Sequence, residues 1–182
     1  PRIKLPGSLK PLFSDDKLER LNHAYGKSFP DVARAMLSSF PNPPDLVAFP
    51  NNQEDIVSIM DWANDNNTAV IPYGGGSSVC GGVETDVGDS FTGVISLDLR
   101  NLNKVLEVDK DSRAALIQAG ILGPDLEEEL KKHNLTLRHF PQSFEHSTLG
   151  GWIATRSAGH FATLYTHIDD FVESTTTVTP SG

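Results

Sequence analysis

Residues 45–82 constrain the fold more than any other part of the chain, because they read as strand, helix, strand and then at once a glycine-rich loop. Asp45 to Phe49 (DLVAF) is short, apolar and closed by Pro50, which suits a strand. Asn51 and Glu54 make a capping pair, and Ile56, Ile59, Met60 and Ala63 then share one face of a helix running to about Asn66. Thr68 to Ile71 reads as a second strand, bounded by Pro72. That order predicts a parallel pair joined by a crossover helix. Open α/β sheets bind ligands beyond the carboxyl ends of their strands. There begins Pro72 to Gly82 (PYGGGSSVCGG), with five glycines and two serines.

A second stretch, Pro141 to His160 (PQSFEHSTLGGWIATRSAGH), is rich in hydroxyls and small residues and poor in charge. Gly150 and Gly151 lack a Cβ, so amides near them can approach an anion closely. Ser143, Ser147, Thr148 and Thr155 add hydroxyls able to donate to phosphate oxygens or ring carbonyls. The two stretches are expected to converge on one ligand; two ordinary surface loops are the plain alternative. The familiar phosphate motifs are absent. Gly76 to Gly81 has the spacing of a Walker loop, but Gly82 stands where lysine is required, and there is no G-x-G-x-x-G.

The net charge of −9, from 24 acidic and 15 basic residues, argues against a nucleic-acid partner, which needs a basic face. It leaves an anionic ligand open, because screening over about 8 Å lets a local cluster of amides and one arginine hold phosphate. No apolar run approaches the roughly 20 residues of a membrane span. Cys80 is the only cysteine, so no internal disulfide forms and a reducing compartment fits. The start, PRIKLPGSLK, is no signal peptide and lacks an initiator Met, which suggests a processed or trimmed chain. The bacterial cytoplasm is the expected location, with the peroxisome as alternative.

Residues 1–14 read as an irregular lead-in, Asp15 to Tyr25 as a short helix ended by Gly26, and Phe29 to Phe40 as a helix. Its stripe of Val32, Ala35, Met36 and Ser39 is expected in the core. Pro41 to Pro44 (PNPP) marks a linker, giving a lead-in over 1–40 and a domain over 41–182. Val94 to Leu97 is a strand, and 105–108 with 114–119 form a hairpin. Gly120 to Asn134 is a helix burying Leu122, Leu126 and Leu130, and Ser174 to Thr179 favours a strand. The turn signal at Pro180-Ser181-Gly182 has no strand after it, so the chain is expected to stop mid-fold.

PDLVAFP, EDIVSIMDWANDNN, PYGGGSSVCGG, VISLDLRNLNKVLEVD, QAGILGPDLEEEL, FEHSTLGGWIATRSAGH and IDDFVE together resemble the FAD-linked oxidases of the vanillyl-alcohol oxidase and p-cresol methylhydroxylase type. The STLGGWIATR block is similar to the alkyldihydroxyacetonephosphate synthase group within them. The resemblance implies an α+β fold: a p-cresol methylhydroxylase-type FAD-binding domain of two α/β subdomains, truncated at its C terminus. It also implies that Pro72, Tyr73, Gly74, Gly75, Gly76, Ser77 and Ser78 wrap the FAD pyrophosphate with backbone amides. Gln142, Ser143, Phe144, Glu145, His146, Ser147 and Thr148 would line the cofactor near its flavin end. Gly151 belongs to the same block, and Thr155, Arg156, Ser157 and Ala158 complete the pocket, with Arg156 balancing negative charge. Asp170 and Val172 would pass beside the adenine.

The implied reaction exchanges the acyl group of acyl-dihydroxyacetone phosphate for a long-chain alkyl group through a flavin adduct. Its catalytic residues lie in a substrate cap beyond residue 182, so the FAD-binding portion alone is expected to be inactive. Ser77 and Ser78 stand where related oxidases carry an attaching histidine, which implies noncovalent FAD. A small-molecule lipid-phosphate or hydroxyacid substrate, peripheral membrane contact through the cap and a homodimer complete the picture. The alternatives are an FAD-dependent 2-hydroxyacid dehydrogenase of the D-lactate or glycolate type, and a noncatalytic FAD-binding fragment.

Single residues have plainer readings. His146 replaces an aromatic and serves as a packing surface or as a titrating group near the cofactor. Cys80 is expected as a small buried filler, and Trp152 as a packing anchor. His160 and His167 lack the further ligands a metal needs, and Asp169 with Asp170 reads as a solvated turn or helix cap.

Overall fold

Two residues of the expected lead-in, Phe13–Ser14, form a strand (β1) in the computed structural model, which describes residues 1–165 and 167–181. Their backbone finds a partner that composition does not reveal, pairing antiparallel with Leu46–Ala48 (β2). Between them Asp16 caps the helix Lys17–Asn22 (α1) by accepting from the amides of Leu18 and Glu19. This helix ends at His23, before Gly26.

Ser28 and Asp31 form a capping box on Phe29–Met36 (α2), with Pro30 in the first turn. The expected burial of its apolar stripe is not found. Val32 is 46% and Met36 82% exposed, Ala35 and Ser39 are exposed too, and Asp31 is the helix's buried residue. Helical spacing identifies an amphipathic face, but not a surface to cover it.

The helix Gln53–Asp65 (α3) buries Ile59 and Ala63 as expected, but its cap lies one residue later. Asn52 Oδ1 accepts from the Asp55 amide at 2.8 Å, and the Asp55 carboxylate accepts from the Asn51 amide at 2.9 Å. The next strand, Thr68–Tyr73 (β3), runs through Pro72 instead of stopping there. Proline is tolerated because β3 is an edge strand. Gly93–Asp98 (β4), buried throughout, lies between β2 and β3 and is parallel to both, giving the order β1-β2-β4-β3. The strands flanking α3 are therefore parallel as expected, but each pairs with β4. Ala48, Ile59, Ile95 and Leu97 form the core beneath.

These elements belong to one compact unit, Pro1–Asn101 with Thr177–Gly182; a second comprises Leu102–Thr176. The second opens with the expected hairpin, Val105–Asp109 (β5) against Ala114–Ile117 (β6). Then come the helices Gly123–Lys131 (α4), Leu149–Thr155 (α5) and Ala162–Tyr165 (α6). Leu126 and Leu130 join Ile121, Leu149, Trp152 and Ile168 in its core, while Leu122 is the half-buried N-cap of α4.

Ser174–Thr179 is not a strand. Threonine's β preference comes from packing against a neighbouring strand, and none pairs with it among the described residues. The expected turn at Pro180-Ser181-Gly182 runs onto Gly182, outside the described residues. No helix is long and apolar enough to cross a membrane among the described residues.

Candidate functional site

In the first unit, β3 ends at Tyr73 and the glycine loop starts there. Tyr73 is buried, its hydroxyl donates to the Asn22 carbonyl at 3.1 Å, and its ring lies 4.2 Å from that of His23. Gly76 folds back over the phenol at φ +65°, where any Cβ would overlap the Tyr73 hydroxyl, so glycine is needed for both shape and space. At the far end the Ser78 carbonyl accepts from the Lys27 amide at 2.7 Å, and Ser78 Oγ accepts from the Gly82 amide at 3.0 Å. Between these anchors the amides of Gly75, Gly76, Ser77 and Ser78 donate to no acceptor among the described residues. Backbone amides left without acceptors can bind an anion where they converge.

Beneath the loop, Asp98 ends β4 opposite Tyr73. Its carboxylate accepts from His23 Nε2 and from Arg100 Nε, each at 2.8 Å. Burial pushes the Asp98 carboxyl up, but the hydrogen bonds from His23 and Arg100 outweigh it and hold the group below the usual range. Burial, with Asp98 next, pushes the Tyr73 phenol up, so it stays a neutral donor. Cys80 is exposed, not a buried filler. It follows the loop outward from Ser78, with Sγ 3.7 Å from Ser78 Oγ.

In the second unit, the block expected to line the cofactor divides by orientation. Gln142, Phe144, Glu145 and His146, with Phe140, Pro141, His160 and Phe161, line an open cleft of about 730 Å³. The hydroxyls that follow bond within the protein, those of Ser147 and Thr148 on buried residues and that of Thr155 on an exposed one. Ser147 Oγ accepts from the Trp152 indole at 2.6 Å and donates to the Ser143 carbonyl at 2.8 Å. Thr148 caps α5 through the Gly151 amide, and Thr155 Oγ1 donates to the Gly151 carbonyl at 2.8 Å. The Gly150 amide donates to the Ala119 carbonyl at 2.8 Å, and a Cβ there would stand 2.7 Å from Ala119 Cβ. That glycine therefore serves a close backbone approach within the protein.

Trp152 is a packing anchor as expected, 2% exposed, stacked on Phe144 at 6.1 Å and 5.2 Å from the His139 ring. Arg156 ends α5 in the left-handed region and its Nε donates to Asp169 Oδ2 at 2.7 Å, while most of its side chain faces solvent. Asp169 is thus held in an ion pair within the turn Ile168–Phe171. Ala158 pairs with His167 in an isolated bridge.

Two histidines escaped sequence reasoning. His139 Nε2 lies 2.7 Å from Ser157 Oγ, and burial, then the neighbouring His167, lowers its pKa. His23 lies beside the glycine loop. The side chains they bond, Ser157 and Asp98, stand 18 and 75 residues away, so no local spacing could signal either pairing.

Comparison with known proteins adds the following. A family profile described as an FAD binding domain matches residues 44–182. The chain is 44% identical over 178 residues to alkyldihydroxyacetonephosphate synthase of Dictyostelium discoideum, covering 98% of this chain and 28% of that protein. It is 38% identical over 189 residues to the synthase of Trypanosoma brucei brucei, covering 100% and 31%. A solved structure of an alkyldihydroxyacetonephosphate synthase matches with a TM-score of 0.90 and 44% identity, over 96% of this chain and 31% of that one. The chain thus spans less than a third of the length of these relatives.

Proposed function

The chain belongs to the FAD-binding domain family, and from that premise we propose that it is the cofactor-binding portion of a flavoenzyme of the alkyldihydroxyacetonephosphate synthase kind. The observation that carries this reading is the row of unspent amides from Gly75 to Ser78, at the carboxyl end of β3. Such a row suits the oxygens of a pyrophosphate. A lysine would serve a terminal phosphate, and the loop has none.

In this reading Pro72–Ser78 hold the pyrophosphate. Gln142–Thr148, Gly151 and Thr155–Ala158 serve the flavin end, and the exposed guanidinium of Arg156 offsets negative charge. FAD, when bound, supplies the electron-withdrawing chemistry, and the protein supplies position and electrostatics. Residues 72–82 contain no histidine to carry a flavin, which supports noncovalent binding. Residues 41–182 act as the FAD-binding domain, with 1–40 as its lead-in. Exchange of an acyl for an alkyl group on a lipid-phosphate substrate, a homodimer and peripheral membrane contact belong to the longer protein.

Parallel titrations with FAD and FMN, followed by quenching of flavin fluorescence, test this. FMN lacks the pyrophosphate, so FAD is expected to bind at least about tenfold more tightly. Equal affinity, or no binding of FAD, contradicts the reading.

A further inference from the structure

Both ends of the glycine loop are tied to one short segment. The Asn22 carbonyl accepts from the Tyr73 hydroxyl where the loop begins, and the Lys27 amide donates to the Ser78 carbonyl where it ends. Between these ties Gly26 lies so close to the Ser78 carbonyl that a Cβ would overlap its oxygen. His23 fills the remaining space. It is 1% exposed, and its two ring nitrogens face acceptors on opposite sides, the Glu19 carbonyl at 2.7 Å and Asp98 Oδ2 at 2.8 Å. That fixes the ring plane, and its face meets Tyr73, the residue on which Gly76 rests.

We propose that residues 22–27, outside the matched FAD-binding residues 44–182, brace the glycine loop and preset its amides for the dinucleotide, with His23 as the positioning residue. This rests on the reading of that loop as the cofactor cradle. The physical gain is preorganisation. A loop already held at both ends loses less conformational freedom when the ligand arrives, so the brace contributes to affinity without touching the ligand.

The test is FAD affinity of the whole chain, measured by fluorescence titration well below each variant's unfolding midpoint. Gly26→Ala pushes directly on Ser78 with a single methyl, Tyr73→Phe removes the tie to Asn22, and His23→Gln removes the two-sided anchor. Gly7→Ala is the control, because nothing lies within 4 Å of a Cβ there. The three loop variants are expected to bind FAD about tenfold more weakly, or worse, while the control matches the parent chain. Lowered unfolding midpoints with undiminished FAD affinity in the three variants would mean a merely structural segment and would overturn the brace alone. A parent chain that binds no FAD would overturn the brace together with the cofactor reading.

Discussion

The Trp152 indole donates to the Ser147 hydroxyl at 2.6 Å, and both groups are buried. Ser147 therefore satisfies the indole N–H within the second unit's core. Ser147→Ala leaves a buried N–H without a partner and is expected to cost about 1–3 kcal/mol. Urea unfolding followed by tryptophan fluorescence measures it. A cost under about 0.5 kcal/mol would show that water replaces the hydroxyl freely.

The adjacent glycines are expected to behave oppositely. A methyl on Gly150 meets Ala119 Cβ at 2.7 Å and the Ala119 carbonyl at 2.9 Å, whereas one on Gly151 meets only Thr148 Oγ1 at 3.3 Å. Gly150→Ala should destabilise by about 1–3 kcal/mol through overpacking, and Gly151→Ala should stay within about 0.5 kcal/mol. Unfolding midpoints of the two single variants decide it, and equal effects would contradict the packing described.

His139 links stability to pH. Burial, then His167, lowers its pKa in the folded state, so the unfolded chain takes up the proton first as pH falls. Its contribution is complete above the unfolded value, about 6.5, and is lost as pH falls from there through the folded value. His139→Gln should remove this part of the pH dependence. An unchanged profile between neutral pH and about 5 would contradict it.

Asp98 acts lower on the scale. Its folded pKa is depressed, so its stabilisation is full above the unfolded value of about 3.9 and is lost as pH falls through the folded one. Asp98→Asn leaves His23 facing an amide and Arg100 with only the longer ion pair to Glu19, at 3.5 Å. Because Arg100 is half exposed and His23 keeps its hydrogen bonds, the expected cost is that of weakened buried hydrogen bonds, about 1–3 kcal/mol. Urea unfolding at neutral pH measures the loss, and a cost below about 1 kcal/mol would mean the cluster is well hydrated.

What sequence patterns revealed was local. The periodicity of α3, the hairpin around Asp109 to Ser112 and the glycine loop after β3 each depend on residues close together in the chain. The misreadings share a different cause. Pro72 continues β3 because that strand lies at the sheet edge, and edge position follows from β4 inserting between β2 and β3. The stripe of α2 faces solvent, and Ser174–Thr179 pairs with no strand, because neither pattern names its partner. His23 joins Asp98 across 75 residues, which no motif spans. Even in the hydroxyl-rich block, composition could not tell Ser147, turned toward Trp152, from Gln142 and His146, which line the cleft.

The most direct measurement is a visible absorption spectrum of the chain after incubation with FAD and removal of the unbound flavin, repeated after denaturation and ultrafiltration. Noncovalent FAD binding predicts flavin bands on the native protein that pass into the filtrate once it unfolds. A native protein without flavin bands would contradict the cofactor assignment, and flavin that stays with the denatured chain would contradict noncovalent attachment.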